Sequence, residues 1–175
     1  MQNQPESILV ELIRYNNWAT QQVLAMCKGL SEEQLATSAP GAYGGIFDTL
    51  IHMIIAEADY ISRMTGVFPQ PHFQRGDDVS IDDLAIYADK VGAAFLDAIQ
   101  RVAPDEIVHE EEDGLFMDYQ ARVLFMQAVI HGVEHRTNVT TILNSMGIEL
   151  PEMDGWGYLR AHAERLKLKE GSLEE

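Results

Sequence analysis

Residues 117–146 constrain this chain more than any other stretch. Leu124, Ala128, His131, His135, Asn138, Ile142 and Ser145 recur along it at alternating steps of four and three. That step returns to one face of an α-helix, so the run predicts a single long helix with one seam. Where an ordinary seam carries leucines, this one carries two imidazoles and an amide. Polar groups on a buried face are costly unless they find partners. Two histidines one helical turn apart hold their Cβ atoms roughly 6 Å apart, close enough to share a metal ion.

Three other segments repeat the helical pattern. Over residues 5–29 the seam is Leu9, Leu12, Asn16, Ala19, Val23, Met26 and Leu30, with Pro5 in the first turn and Gly29 as a C-terminal stop. Asn16 breaks that seam, either to set register or to face the same interior as the histidines. Residues 45–66 are apolar around most of the helix circumference from Ile46 to Ala58. Such a helix is buried on more than one side, inside the chain or against a second subunit. The third segment opens on a Ser80 cap, follows Ile81, Leu84, Ala88, Val91, Phe95, Ala98 and Val102, and stops at Pro104. Ser31 and Gln34 fit a capping box on a short turn.

The connections read as clearly. Residues 37–45 are rich in Gly, Pro and Ser, and residues 67–79 form a long loop carrying Pro69, Pro71 and His72. Asp113-Gly114 between two short apolar runs predicts a β-hairpin before the fourth helix, with His109 on it. Gly147 ends that helix, and a last short helix covers about residues 157–169, with residues 170–175 frayed. The expected architecture is all-α: one domain over residues 1–175, a four-helix bundle with a short C-terminal helix and a small hairpin. The long second connection allows a crossover topology.

Composition excludes several partners. The net charge is −16 with 12 Lys and Arg, which disfavours nucleic acid and anionic membrane surfaces. No apolar run approaches the ~18 residues of a membrane span. The N-terminus lacks the basic and apolar regions of a signal peptide. Cys27 is the one cysteine, so no intrachain disulfide forms, which fits a cytoplasmic location.

The His131/His135 pair lacks the following glutamate of one familiar zinc motif, since Gly132 stands there. The carboxylate-bridged di-iron pattern needs Glu-x-x-His on two helices, and here it occurs once, at Glu106 and His109 in a loop. No phosphate-binding glycine loop or nucleophile motif is present. Cys27 reads as packing. His52 taken alone reads as a hydrogen-bonded core histidine, and its orientation is open because its helix is apolar on nearly every face.

Four places resemble the DinB/YfiT-like family of metal-binding four-helix bundles. They are Arg14 to Trp18, Phe47 to Glu57 around His52, His131-Gly-Val-Glu-His135-Arg-Thr-Asn, and Pro151 to Tyr158. Together they span nearly the whole chain in order. Thr137-Asn138 departs from the Gly-Gln the family often carries. The resemblance implies that His52, His131 and His135 bind one divalent transition metal, with three imidazoles suiting Zn, Ni or Fe. It also implies a homodimer. It further implies a metal-dependent enzyme that moves a small thiol or hydrolyses a small-molecule substrate, with Asn16 or Asn138 orienting the cosubstrate. The alternative is a non-catalytic, dimeric metal-binding stress-response scaffold whose site a fourth ligand, Glu57 or Asp48, closes.

Overall fold

A computed structural model describes residues 7–74, 76–112 and 114–166. Its elements in chain order are α1 (Ile8–Cys27), α2 (Glu32–Leu35), α3 (Ile46–Thr65), α4 (Ile81–Arg101), β1 (Ile107–Glu112), β2 (Leu115–Gln120), α5 (Arg122–Ser145), α6 (Gly155–Ala161) and α7 (Ala163–Leu166). Local chemistry sets the boundaries. Ser7 caps α1, and its Oγ accepts from the Leu9 N–H at 3.3 Å. Ser31/Gln34 and Ser80/Asp83 form capping boxes on α2 and α4. Gly45 and Gly66 flank α3. The expected positions of Pro5, Asp113 and residues 167–175 lie outside the described residues.

The four long helices pack in the cyclic order α1, α4, α3, α5. In that ring α1 stands across from α3, and α4 across from α5. The connections that cross the ring are therefore the first, through α2, and the third, through the hairpin. The long second connection, whose length allows a crossover, joins the neighbours α3 and α4. Strands β1 and β2 pair antiparallel from Ile107↔Gln120 to Glu112↔Leu115, with β1 against α3 and β2 against α5. They claim residues 117–120, so α5 begins five residues later than its sequence pattern predicts.

Every predicted seam residue of α4 is buried. In α1 the buried face is Ile13, Asn16, Ala19, Thr20, Val23, Leu24 and Cys27, whereas Leu12 is exposed. Asn138 and Ser145 also leave the predicted seam, and Val139 and Leu143 are buried beside Ile142. The cause is the same in both helices. A straight helix turns every 3.6 residues, so it drifts about 20° per heptad away from a strict 4-3 seam. Cys27 is 1% exposed in the core, and burial pushes its thiol up to about 12. The C-terminal segment docks on α1. Tyr158 Oη donates to Glu11 Oε1 at 2.6 Å and Arg165 Nη1 donates to Glu11 Oε2 at 2.7 Å, holding the Glu11 carboxyl down at about 2. Among the described residues, no helix is long and apolar enough to cross a membrane.

Candidate metal centre

His52 comes from α3, and His131 and His135 come from neighbouring turns of α5. The two helices pack side by side, and the three imidazoles meet between them. The Nε2 atoms of His52 and His131 lie 3.2 Å apart. One ring nitrogen from each of the three residues lies within 4.8 Å of the others. A tetrahedral zinc site with bonds of about 2.0–2.1 Å has ligand–ligand edges of roughly 3.3 Å, so the shortest separation already matches such an edge. No carboxylate or thiol joins the cluster among the described residues.

The electronics suit ligation. Burial, then the charges of His135 and His52, lower His131 to about 4. Burial also lowers His135, with Glu134 pulling the other way. Both rings are therefore neutral near pH 7 and present lone pairs without first losing protons. The buried Nδ1 atoms of His131 and His135 lack hydrogen-bond partners, an uncommon state for buried polar atoms. A divalent ion fits this donor set of three imidazole nitrogens.

Two aromatic rings flank the histidines. Tyr43, from the loop between α2 and α3, stacks on His52 with centroids 4.1 Å apart and planes 12° apart. It also meets His135 edge-on at 5.2 Å. Tyr60 approaches His131 edge-on at 6.0 Å.

Under the site lies a buried polar layer. Asn16 Nδ2 donates to Glu57 Oε1 at 2.8 Å, and Arg136 Nη1 donates to Asn16 Oδ1 at 2.7 Å and Thr20 Oγ1 at 3.1 Å. These bonds tie α1, α3 and α5 together. Gly132 makes room for them: a Cβ there would collide with Asn16 Oδ1 and lie 2.7 Å from Arg136 Nη1. Burial raises Glu57 to about 7, against the Asn16 hydrogen bond and the Arg136 charge. A raised folded value means that this group's contribution to stability is fully present below 4.5, its ordinary value, and is lost as pH climbs to about 7. Glu57→Gln is expected to remove that component. The change in urea midpoint between about pH 5 and about pH 8 should shrink relative to wild type. An unchanged difference would refute the assignment.

The structure sorts the remaining candidates. Glu57 belongs to the Asn16 layer and Asp48 lines a separate cavity of about 580 Å³, so neither closes the cluster. Asn138 sits towards the surface with its Nδ2 on the Glu134 carbonyl at 2.8 Å. His109 is exposed and pairs with Asp118 across the hairpin at 2.8 Å. His72 stacks on Phe68 in the second loop. Sequence reasoning missed Tyr43, which has no helical periodicity to mark it, and the role of Arg136. The signal for Arg136 was available, because a residue next to a seam position borders the core.

A model of the DinB family matches residues 1–167. The chain belongs to the DinB family. Two solved DinB-like proteins share its fold. One, from Bacillus cereus ATCC 10987, is 21% identical with a TM-score of 0.61, covering 82% of this chain and 94% of its own. The other, YjoA from Bacillus subtilis, is 15% identical with a TM-score of 0.56, covering 85% of this chain and 99% of its own. No curated protein matches this DinB chain. Its three-histidine cluster is compatible with metal binding, and its fold is mostly helical with one two-stranded sheet.

Proposed function

We propose that this DinB-family protein is a single-domain four-helix bundle that binds one divalent transition metal through His52, His131 and His135. It would use that ion as a metal-dependent enzyme, of the small-thiol S-transferase or hydrolase type. The convergence of three imidazole nitrogens within 4.8 Å from two helices carries the proposal. Three nitrogen ligands with no carboxylate or thiol among them leave a coordination position for water or substrate, the pattern of catalytic rather than structural zinc. A bound divalent ion would lower the pKa of a water or thiol at that position. The chain's own part is to hold three imidazoles together, fix α5 against α1 and α3 through the Arg136–Asn16–Glu57 layer, and stack Tyr43 on His52. A homodimer and a cytoplasmic location complete the proposal.

One observation favours the alternative scaffold. Two cavities, of about 580 and 260 Å³, are lined by residues other than the histidines. A binding site needs a cleft beside its ion. The first test is the metal content of untagged protein beside a His131→Ala/His135→Ala variant. Near-stoichiometric metal in wild type and none in the variant is the expected result, and the ion found is the one to carry into thiol-transfer and hydrolase assays. Wild type that stays metal-free after reconstitution with Zn²⁺ and Ni²⁺ would sink the metal reading. A loaded protein inert to thiols, esters and amides alike would favour the scaffold.

A further inference from the structure

Helix α5 carries a second stripe, on the side turned away from the bundle. Val123, Met126, Ile130 and Val133 follow one another at steps of three, four and three, so they share one face. They are 42–55% exposed, whereas His131 and His135 are buried on the inward side of the same helix. The other exposed or half-buried positions from 122 to 140 hold uncharged residues apart from Arg122 and Glu134. The outer side of α4 differs, with Asp82, Asp83, Asp89, Lys90, Asp97 and Arg101 all exposed. Ile8 and Leu12, also exposed, widen the apolar face onto α1. They continue the side of α1 on which Tyr15 and Ala19 meet Val133 around the smaller cavity. Among the described residues no large apolar side chain of α3 is exposed, so the helix whose sequence allowed a second-subunit contact is covered by its own chain.

The stripe matches itself. Met126 and Ile130 lie two residues either side of position 128, Val123 and Val133 five, and Arg122 and Glu134 six. Laying a second copy antiparallel across a twofold axis at the level of Ala128 brings each residue level with its counterpart. Valine then stands beside valine and methionine beside isoleucine, and at both ends an arginine is level with a glutamate. A twofold contact requires such self-complementarity, because both copies present the same patch. Helix α1 gives the same centre. It runs parallel to α5, since Gly132 abuts Asn16 and Arg136, one turn on, reaches Thr20. Leu12, one turn before Asn16, is therefore level with position 128.

Size and charge agree. From Arg122 to Thr140 the helix rises about 27 Å, and two helices packed about 8–10 Å apart present a face about 20 Å wide. Counted on both copies, that face is roughly 1,100 Å², above the ~1,000 Å² of a specific interface. Two copies at −16 each repel, and a face with one cation and one anion is where they repel least.

We propose that α5 pairs antiparallel with α5 of a second copy through Val123, Met126, Ile130 and Val133, with Arg122 and Glu134 at the ends. The inference rests on the homodimer reading above and gives that dimer its interface. It sets the two histidine clusters back to back, each on the inner side of a helix whose outer side holds the other copy.

Sedimentation equilibrium over a concentration series tests the face. Ile130→Glu sets two like charges into the seam and is expected to raise the dimer Kd at least about a hundredfold, with an unchanged far-UV spectrum. Ile86→Glu, on the exposed side of α4, is expected to keep the wild-type Kd. Cysteine pairing reads the orientation, and the buried Cys27 does not disturb it. Val123→Cys and Val133→Cys proteins are oxidised separately and after mixing. A disulfide-linked dimer is expected in the mixture alone, because 123 is level with 133 while equal positions stand about 15 Å apart. A wild-type monomer throughout the series overturns this interface and the homodimer reading together. A dimer that survives Ile130→Glu, or whose mixture gains no link of its own, overturns this interface alone.

Discussion

Gly132→Ala is expected to destabilise the protein by about 3 kcal/mol, although alanine is the better helix former by about 1 kcal/mol. The new methyl group would enter the space of Asn16 Oδ1 and Arg136 Nη1. Neither can retreat freely, because Asn16 also holds Glu57 and Arg136 also holds Thr20. Forcing extra volume into a packed interior costs about 1–3 kcal/mol, and each buried hydrogen bond to a charged group adds about 1.5–3 kcal/mol. Together these outweigh the propensity gain. Gly155→Ala is the control, since a Cβ there meets nothing within 4 Å. It should stay within about 0.5 kcal/mol of wild type. Urea denaturation reads both variants. A Gly132→Ala protein as stable as wild type would mean that the Asn16 layer is not what holds α5 at this distance from α1.

Arg136→Met is expected to cost about 3 kcal/mol, because the buried acceptors it serves are left unsatisfied at about 1–3 kcal/mol each. Arg136 is 5% exposed and supplies the donors for Asn16 Oδ1 and Thr20 Oγ1. Its charge also opposes the rise in the Glu57 pKa. Methionine retains most of the stem and removes the guanidinium. Asn16 then loses its donor, and the buried Glu57 carboxyl loses the charge that opposes its upward shift. Adding Glu57→Leu should restore part of the stability, because it removes the buried carboxyl whose upward shift the Arg136 charge opposed. The double-mutant cycle on urea midpoints measures the coupling. Additive losses would show that Arg136 and Glu57 act independently.

The sequence carried the long helices clearly, because each buries one stripe whose spacing survives in the residue order. It carried the α4 stripe completely. In α1 and α5 the strict 4-3 step misplaced Leu12, Asn138 and Ser145, since helix drift moves the buried face within two turns. The two α5 histidines were legible for the same reason as the stripe: one helical turn separates them. His52 was not legible from spacing, because a helix apolar on nearly every face gives no direction to a single polar residue. The resemblance to DinB proteins pointed it inward, and the geometry places it 3.2 Å from His131. Glu57 looked like a possible fourth ligand because only sequence distance from His52 was visible. Its actual partner, Asn16, lies 41 residues away on another helix. Tyr43 was illegible because loop residues follow no period.

The burial of Cys27 has a bearing on sulfur chemistry around this protein. A chain whose single sulfhydryl is sealed in the core, with its proton held to about 12, contributes almost no thiolate at neutral pH. It neither competes with an added thiol for an electrophile nor traps that thiol as a mixed disulfide. Loss of an added thiol from solution in the presence of the folded protein is therefore not capture by Cys27, and oxidants that act on surface thiols find no such handle on it.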